Sequence, residues 1–377
     1  MSSPQQFSHL SLFAPRVLVG RPLPFNIFDH DRTLLLARGQ VVQTEALRLA
    51  LFDRGALVDL EEVQFPQDRI QHARREELPA IWAEQMNQLG NTLRQCDQPG
   101  FKGALEASTP AVMALVARDP DLAIFQVLRQ EGNAHIQYGI DHSLHTAITT
   151  QLVATRLGWT SEEARLAFNV ALTMNLGMLE LQGQLATQAT PPTEDQRATI
   201  LAHPALSRMM LETAGVSDER WLEAVLQHHE TPEGTGYPYG ITTANPVADL
   251  VRRADIYTAK LSSRQGRSAI AADQAGRQMF MAAPGDPMVA ALVKEFGVYP
   301  PGCWVRLASG ETGIVVRRGP TVFTPEVVVL TTRSGAALPA PARRDTGQKA
   351  FAVQTVLAAR DPRPQLSTAQ MMVLAGS

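Results

Sequence analysis

Residues 228–238 read HHETPEGTGYP. Two adjacent histidines and a glutamate run straight into a segment whose glycines and closing Tyr-Pro belong to a tight loop, not to a helix or strand. A histidine pair brings two imidazoles to one place, and borderline divalent cations favour imidazole as a ligand. Upstream, DERWLEAVLQHHE (218–230) sets apolar residues at helical spacing and delivers the pair at its end. Before it, DLAIFQVLRQE (121–131), LHTAITTQLVATRLG (144–158), SEEARLAFNVALTMNLG (161–177) and DQRATILAHPALSRMMLETAG (195–215) carry the same period. Gly158, Gly177 and Gly215 punctuate these runs, and Ser161 and Ser217–Asp218 are the expected N-caps. Residues 119–295 are therefore expected to form a bundle of five or more helices.

The flanks have a different texture. Residues 1–66 alternate short apolar runs with turn residues, giving two or three strands with a turn at Asp29–Arg32. Thr44–Arg54 then reads as a short helix stopped by Gly55, so this region is a small α/β module of regulatory or adaptor character. Residues 67–118 are charged, helix-favouring and interrupted by Pro79, Pro99 and Pro110, which reads as connecting helices. After Phe296 the period becomes two: WVRLASGETGIVVRRG (304–319) and EVVVLTTRSG (326–335) are expected strands of a β appendage. From about 338 the Ala-, Pro- and Arg-rich chain is expected to be an irregular tail, so residues 296–377 form appendage plus tail.

With 377 residues, 45% of them hydrophobic and 19% charged, the chain can bury a large interior. Its 34 basic and 37 acidic residues leave a net charge of -3, without the basic excess of a non-specific nucleic-acid binder, so no DNA or RNA partner is expected. Two cysteines, Cys96 and Cys303, fit a reducing compartment. The opening MSSPQQFSHLSLF has no signal-peptide pattern, and no apolar run approaches the ~20 residues of a membrane span. A cytoplasmic protein with no membrane partner is expected.

The chemistry concentrates in the helical region, where His142, His203, His228, His229 and Asp255 lie on four predicted helices. Such side chains converge only inside a bundle, which is how bundles build metal centres. His135 and His9 read as ordinary packed or solvated histidines. The dipeptide His30-Asp31 falls in a predicted turn and reads as turn chemistry.

The loop at 228–238 resembles the signature of HD-GYP domains, H-H-E-x-x-[DN]-G-x-G-Y-P, from which Glu233 departs by one methylene. His142 resembles the first family histidine, His203 the histidine of the HP motif, and Asp255 the late aspartate, with Arg264 and Arg267 at the trailing arginines. The resemblance covers about residues 119–335. It implies a mainly α fold, an HD-type helical bundle between the N-terminal α/β module and the C-terminal β segment. It also implies cyclic di-GMP as ligand, a centre of two or three iron or manganese ions, and a water activated between two metals. His142, His203, His228, His229 and Asp255 would be the metal ligands, and Gly236, Tyr237, Pro238, Arg264 and Arg267 would face the nucleotide.

One stretch departs from the family. Where H-D-x-G-K is usual, this chain has Met174-Asn175-Leu176-Gly177-Met178. Asn175 replaces the carboxylate that bridges two metals, and Met178 replaces a lysine that binds phosphate. Two divalent ions about 4 Å apart repel by roughly 16 kcal/mol at an effective dielectric near 20, so losing the bridging charge disfavours a paired centre. Thr258 and Gln265-Gly266 are further departures, while arginine is the usual family residue at the position of His145. The expected cofactor is one divalent metal (Fe, Mn or Zn) held chiefly by His203, His228 and His229, or none. The expected function is a catalytically inactive cyclic di-GMP signalling component that binds a signalling protein or the nucleotide, with a homodimer left open. The alternative is an active phosphodiesterase with a mononuclear or rearranged site recruiting Glu230, Glu180 or Glu233. A metal-free adaptor using the N-terminal module is a third reading.

Overall fold

A computed structural model describes residues 7–59, 66–128, 136–242, 245–265, 269–357, 361, 364 and 366–376. The N-terminal module forms a four-stranded antiparallel sheet from β1 (Phe7–His9), β2 (Ile27–Phe28), β3 (Leu34–Leu36) and β4 (Leu57–Asp59), in the order β1-β4-β2-β3. Its helix α1 (Glu45–Asp53) starts where the Thr44 hydroxyl accepts the Leu47 N–H, and Gly55 follows at φ +70°. Leu10, Phe13, Val17, Phe25, Ile27 and Val58 form the module's separate small core.

Helices α2 (Pro66–His72), α3 (Leu78–Arg94) and α4 (Phe101–Arg118) occupy the region expected to connect modules. They do more than connect. Trp82, Leu89, Leu93, Leu105 and Leu115 are buried in the main core, so this segment is a wall of the bundle. Pro79 sits in the first turn of α3, where a missing N–H costs nothing, and Pro110 lies inside an unbroken α4. The carbonyl that Pro110 leaves unbonded is that of Glu106, an exposed residue.

The bundle continues through α5 (Pro120–Leu128), α6 (Ile136–Arg156), α7 (Ser161–Thr173), α8 (Leu179–Thr187), α9 (Glu194–Thr213), α10 (Glu219–Gln227), α11 (Pro246–Leu261), α12 (Ala272–Ala282) and α13 (Pro287–Phe296). Thr160, one residue before the expected Ser161, caps α7: its hydroxyl accepts the Glu163 N–H while the Glu163 carboxylate accepts the Thr160 N–H. Asp218 caps α10 as expected.

A second sheet contains β5 (Trp304–Leu307), β6 (Thr312–Arg317), β7 (Glu326–Thr331), β8 (Ala337–Asp345) and β9 (Val353–Val356), ordered β8-β7-β6-β5-β9. The region expected to be an irregular tail thus supplies both edge strands. It ends in α14 (Thr368–Gly376), which packs on α3 and α5 and buries Met372 and Ala375 in the main core. No helix among the described residues is long and apolar enough to cross a membrane.

Candidate metal centre

His203 sits mid-way along α9 and His228 directly after α10, two helices that pack together. The Nδ1 of His203 is 2.6 Å from the Ile200 carbonyl oxygen, and that of His228 is 2.6 Å from the Val225 carbonyl oxygen. A carbonyl only accepts, so each Nδ1 carries the proton and each Nε2 presents a lone pair. Those two Nε2 atoms face one another at 3.1 Å. Two lone pairs at that distance need a positive centre between or beside them, and the side chain of His229 joins them, its ligand nitrogen within 4.8 Å of theirs. Burial, reinforced by the neighbouring His229, lowers the pKa of His203 to about 4 and that of His228 well below 6.5. Both therefore stay neutral and available as ligands near pH 7. A set of three imidazoles, two of them neutral and proton-fixed, fits a borderline divalent cation such as zinc, iron or manganese.

The loop after His229 closes over the cluster. Tyr237 stacks on His229 with ring centres 4.5 Å apart and meets the His203 ring edge-on at 6.2 Å. Gly236 permits this approach, since a Cβ there would lie 2.4 Å from the His229 carbonyl oxygen and 2.5 Å from the Glu230 Cα. The buried Glu230 holds the far end of the loop: its Oε1 accepts the Tyr239 N–H at 2.8 Å and its Oε2 the Ile241 N–H at 3.1 Å. Desolvation raises the Tyr237 phenol far above its ordinary value. The ring therefore acts as a neutral cover.

The remaining two expected ligands bind each other. His142 on α6 places its Nε2 2.6 Å from Oδ1 of Asp255 on α11. Burial opposes charge on Asp255, but the His142 hydrogen bond and the surrounding imidazoles outweigh it and hold the carboxyl well below its usual range. Tyr138, one helical turn before His142, stacks parallel to that imidazole at 6.3 Å, and its hydroxyl accepts the Arg264 Nε–H at 2.7 Å. Asn175 lies buried in the turn between α7 and α8, and its side-chain oxygen has no hydrogen-bond partner among the described residues. Next to it, Gly177 donates its N–H to the Ser207 hydroxyl, and a Cβ there would sit 3.0 Å from the His203 carbonyl oxygen. The departing turn is thus seated against the helix that carries His203.

Residues 126–282 match the HD domain family. A cyclic di-GMP phosphodiesterase of Pseudomonas aeruginosa is 30% identical over 237 residues, 60% of this chain and 56% of that protein. The cyclic di-GMP phosphodiesterase response regulator RpfG of Xanthomonas campestris is 32% identical over 130 residues, 33% of this chain and 34% of that protein. The matched region is HD-domain-like. A solved HD-GYP-like protein of Bdellovibrio bacteriovorus aligns over 77% of this chain and 99% of its own, at 15% identity and a TM-score of 0.49. The chain spans about half the length of the first curated relative and a third of the second.

Within this HD-like region, His203, His228 and His229 come together, and among the described residues they form the one group of three or more candidate metal-binding side chains. His142 and Asp255 do not join that group in this structure; the His142 Nε2 lies against the Asp255 Oδ1 instead. Glu230 is no spare ligand, because both its oxygens are spent on loop N–H groups, and Glu180 and Glu233 are exposed. His145 is buried on α6 but outside the cluster. Thr258, at a family aspartate position, bonds Thr146 across the α6–α11 interface. His30 and Asp31 form the expected turn, with the Asp31 carboxylate accepting the Thr33 N–H. Arg267, Gly266 and His135 lie outside the described residues. Sequence reasoning missed Tyr138, although its spacing of four from His142 on one helix face is the signal that finds it.

Proposed function

We propose that this chain is a non-catalytic HD-GYP protein of cyclic di-GMP signalling: its three-histidine centre holds one divalent cation, and it works by binding the nucleotide or a signalling protein. The observation that carries this reading is Asn175. It is neutral, buried, and stands where a bridging carboxylate is required to hold two cations side by side. Met174 is fully buried and apolar, and Met178 removes the phosphate-binding ammonium. The domain's membership and the activities named for its relatives supply the ligand class.

The test is incubation of the purified chain with cyclic di-GMP and excess Mn²⁺ or Fe²⁺. No linear or mononucleotide product is expected, and steady turnover overturns the proposal. Metal analysis is expected to return one ion per chain. The double variant Met174→His/Asn175→Asp is expected to raise the metal content toward two. The opposed lone pairs of His203 and His228 favour one competing reading, a phosphodiesterase with a mononuclear site. It requires turnover in the unaltered chain that His229→Ala abolishes.

A further inference from the structure

We propose that Pro204 is a positioning residue for the metal centre: by taking away the backbone N–H that would bond the Ile200 carbonyl, it releases that oxygen to fix the tautomer of His203. In a regular helix the N–H of residue 204 bonds the carbonyl of residue 200. Proline has no N–H, and its ring crowds the carbonyl four residues back. Pro204 nevertheless lies inside α9, which runs unbroken from Glu194 to Thr213. The Ile200 oxygen is not left orphaned, because the His203 Nδ1–H reaches it at 2.6 Å. That single bond points the His203 Nε2 lone pair at His228, 3.1 Å away. His228 reaches the same state by another route. It caps the end of α10, where the Val225 carbonyl is one of the last-turn carbonyls that no helical N–H satisfies. A mid-helix histidine lacks that free carbonyl, and proline at the next position creates one. Pro204 and His203 are both buried, so water does not substitute for either partner.

This inference rests on the reading of the three histidines as a cation site, and its test separates the two. Pro204→Ala restores the N–H, which then competes for the Ile200 oxygen. The metal-free variant is expected to melt higher than the parent, because an interior proline is removed, while its affinity for Co²⁺ or Zn²⁺ falls at least tenfold. These opposite signs exclude a purely structural role. Pro110→Ala on α4 is the control: it also raises the melting temperature but leaves metal affinity unchanged, since α4 carries none of the three clustered histidines. Nitrogen-15 spectra of the imidazoles are expected to give His203 as the Nδ1–H form in the parent and a tautomer mixture in Pro204→Ala. An Nε2–H tautomer in the parent overturns the inference, as does a variant that keeps the Nδ1–H form and binds metal within twofold of the parent. A parent that takes up no metal but shows the expected tautomer shift sinks the cation reading alone.

Discussion

His203 and His228 are held as neutral acceptors by single hydrogen bonds to backbone carbonyls, and burial keeps them so. The cost appears in the pH dependence of the metal-free protein. The ordinary imidazole value is 6.5, and folding lowers that of His203 to about 4. As pH falls through 6.5 the unfolded chain takes up a proton that the folded chain refuses, so stability is full above 6.5 and is lost progressively down to about 4. His228 acts in the same direction. Urea denaturation of the metal-free protein between pH 7.5 and 4.5 is expected to show this decline, with a shallower slope in His203→Gln. Glu230 gives a second residue-scale prediction. Glu230→Gln leaves one acceptor for the Tyr239 and Ile241 N–H groups, so it is expected to cost about 1–2 kcal/mol while metal stoichiometry is unchanged. Loss of the metal would reinstate Glu230 as a ligand.

At the scale of elements, the turn at 175–178 is fitted to α9 through Gly177. A Cβ at that position would lie 2.7 Å from the Leu206 Cβ and 3.0 Å from the His203 carbonyl oxygen, so Gly177→Ala must push turn and helix apart. It is expected to destabilise by about 1–3 kcal/mol and to weaken metal binding through displacement of His203, measured by denaturation and metal titration. The elements that the sequence reveals best are those with a strong period and a cap: α7, α9 and α10 each carry an amphipathic face and a hydroxyl or carboxylate N-cap. Adjacent hydroxyls at Thr160 and Ser161 both look like caps, and the Glu163 side chain decides for Thr160. Strands β8 and β9 escape reading because they are sheet edges. Neighbours supply their backbone bonds, so ALPAPARRD needs no hydrophobic alternation to be extended. The centre is legible in part for a related reason. Histidines reveal which ligands exist, but whether His142 meets the cluster or Asp255 depends on the packing of α6 against α11, two helices far apart in sequence.

Across the whole molecule, the main core runs from Ile70 to Ala375, so the last helix returns onto the first helices of the bundle. Gly376 allows this closure, since a Cβ there would stand 2.6 Å from the Pro79 Cγ. The second sheet is fastened to the bundle by charge as well as by apolar contact. Arg318, just after β6, pairs with Asp121 on α5, and its Nη1 donates at 3.0 Å to both a side-chain oxygen and the backbone carbonyl of Glu295 on α13. Glu295 also takes Arg156 from the end of α6, so one buried carboxylate joins two helices to the sheet. Removing Arg318 leaves Asp121 and Glu295 short of a partner in a partly dry setting, a cost between that of exposed and fully buried pairs. Arg318→Ala is therefore expected to destabilise by about 2 kcal/mol and to hasten proteolysis in residues 304–356, while metal content stays at the parent level. Arg343→Ala is the comparison: its pair with Glu326 lies on the exposed sheet surface and is expected to be worth under about 1 kcal/mol. Equal effects of the two substitutions would mean that the sheet is held by apolar packing alone and that the Asp121–Arg318–Glu295 junction contributes nothing to its attachment.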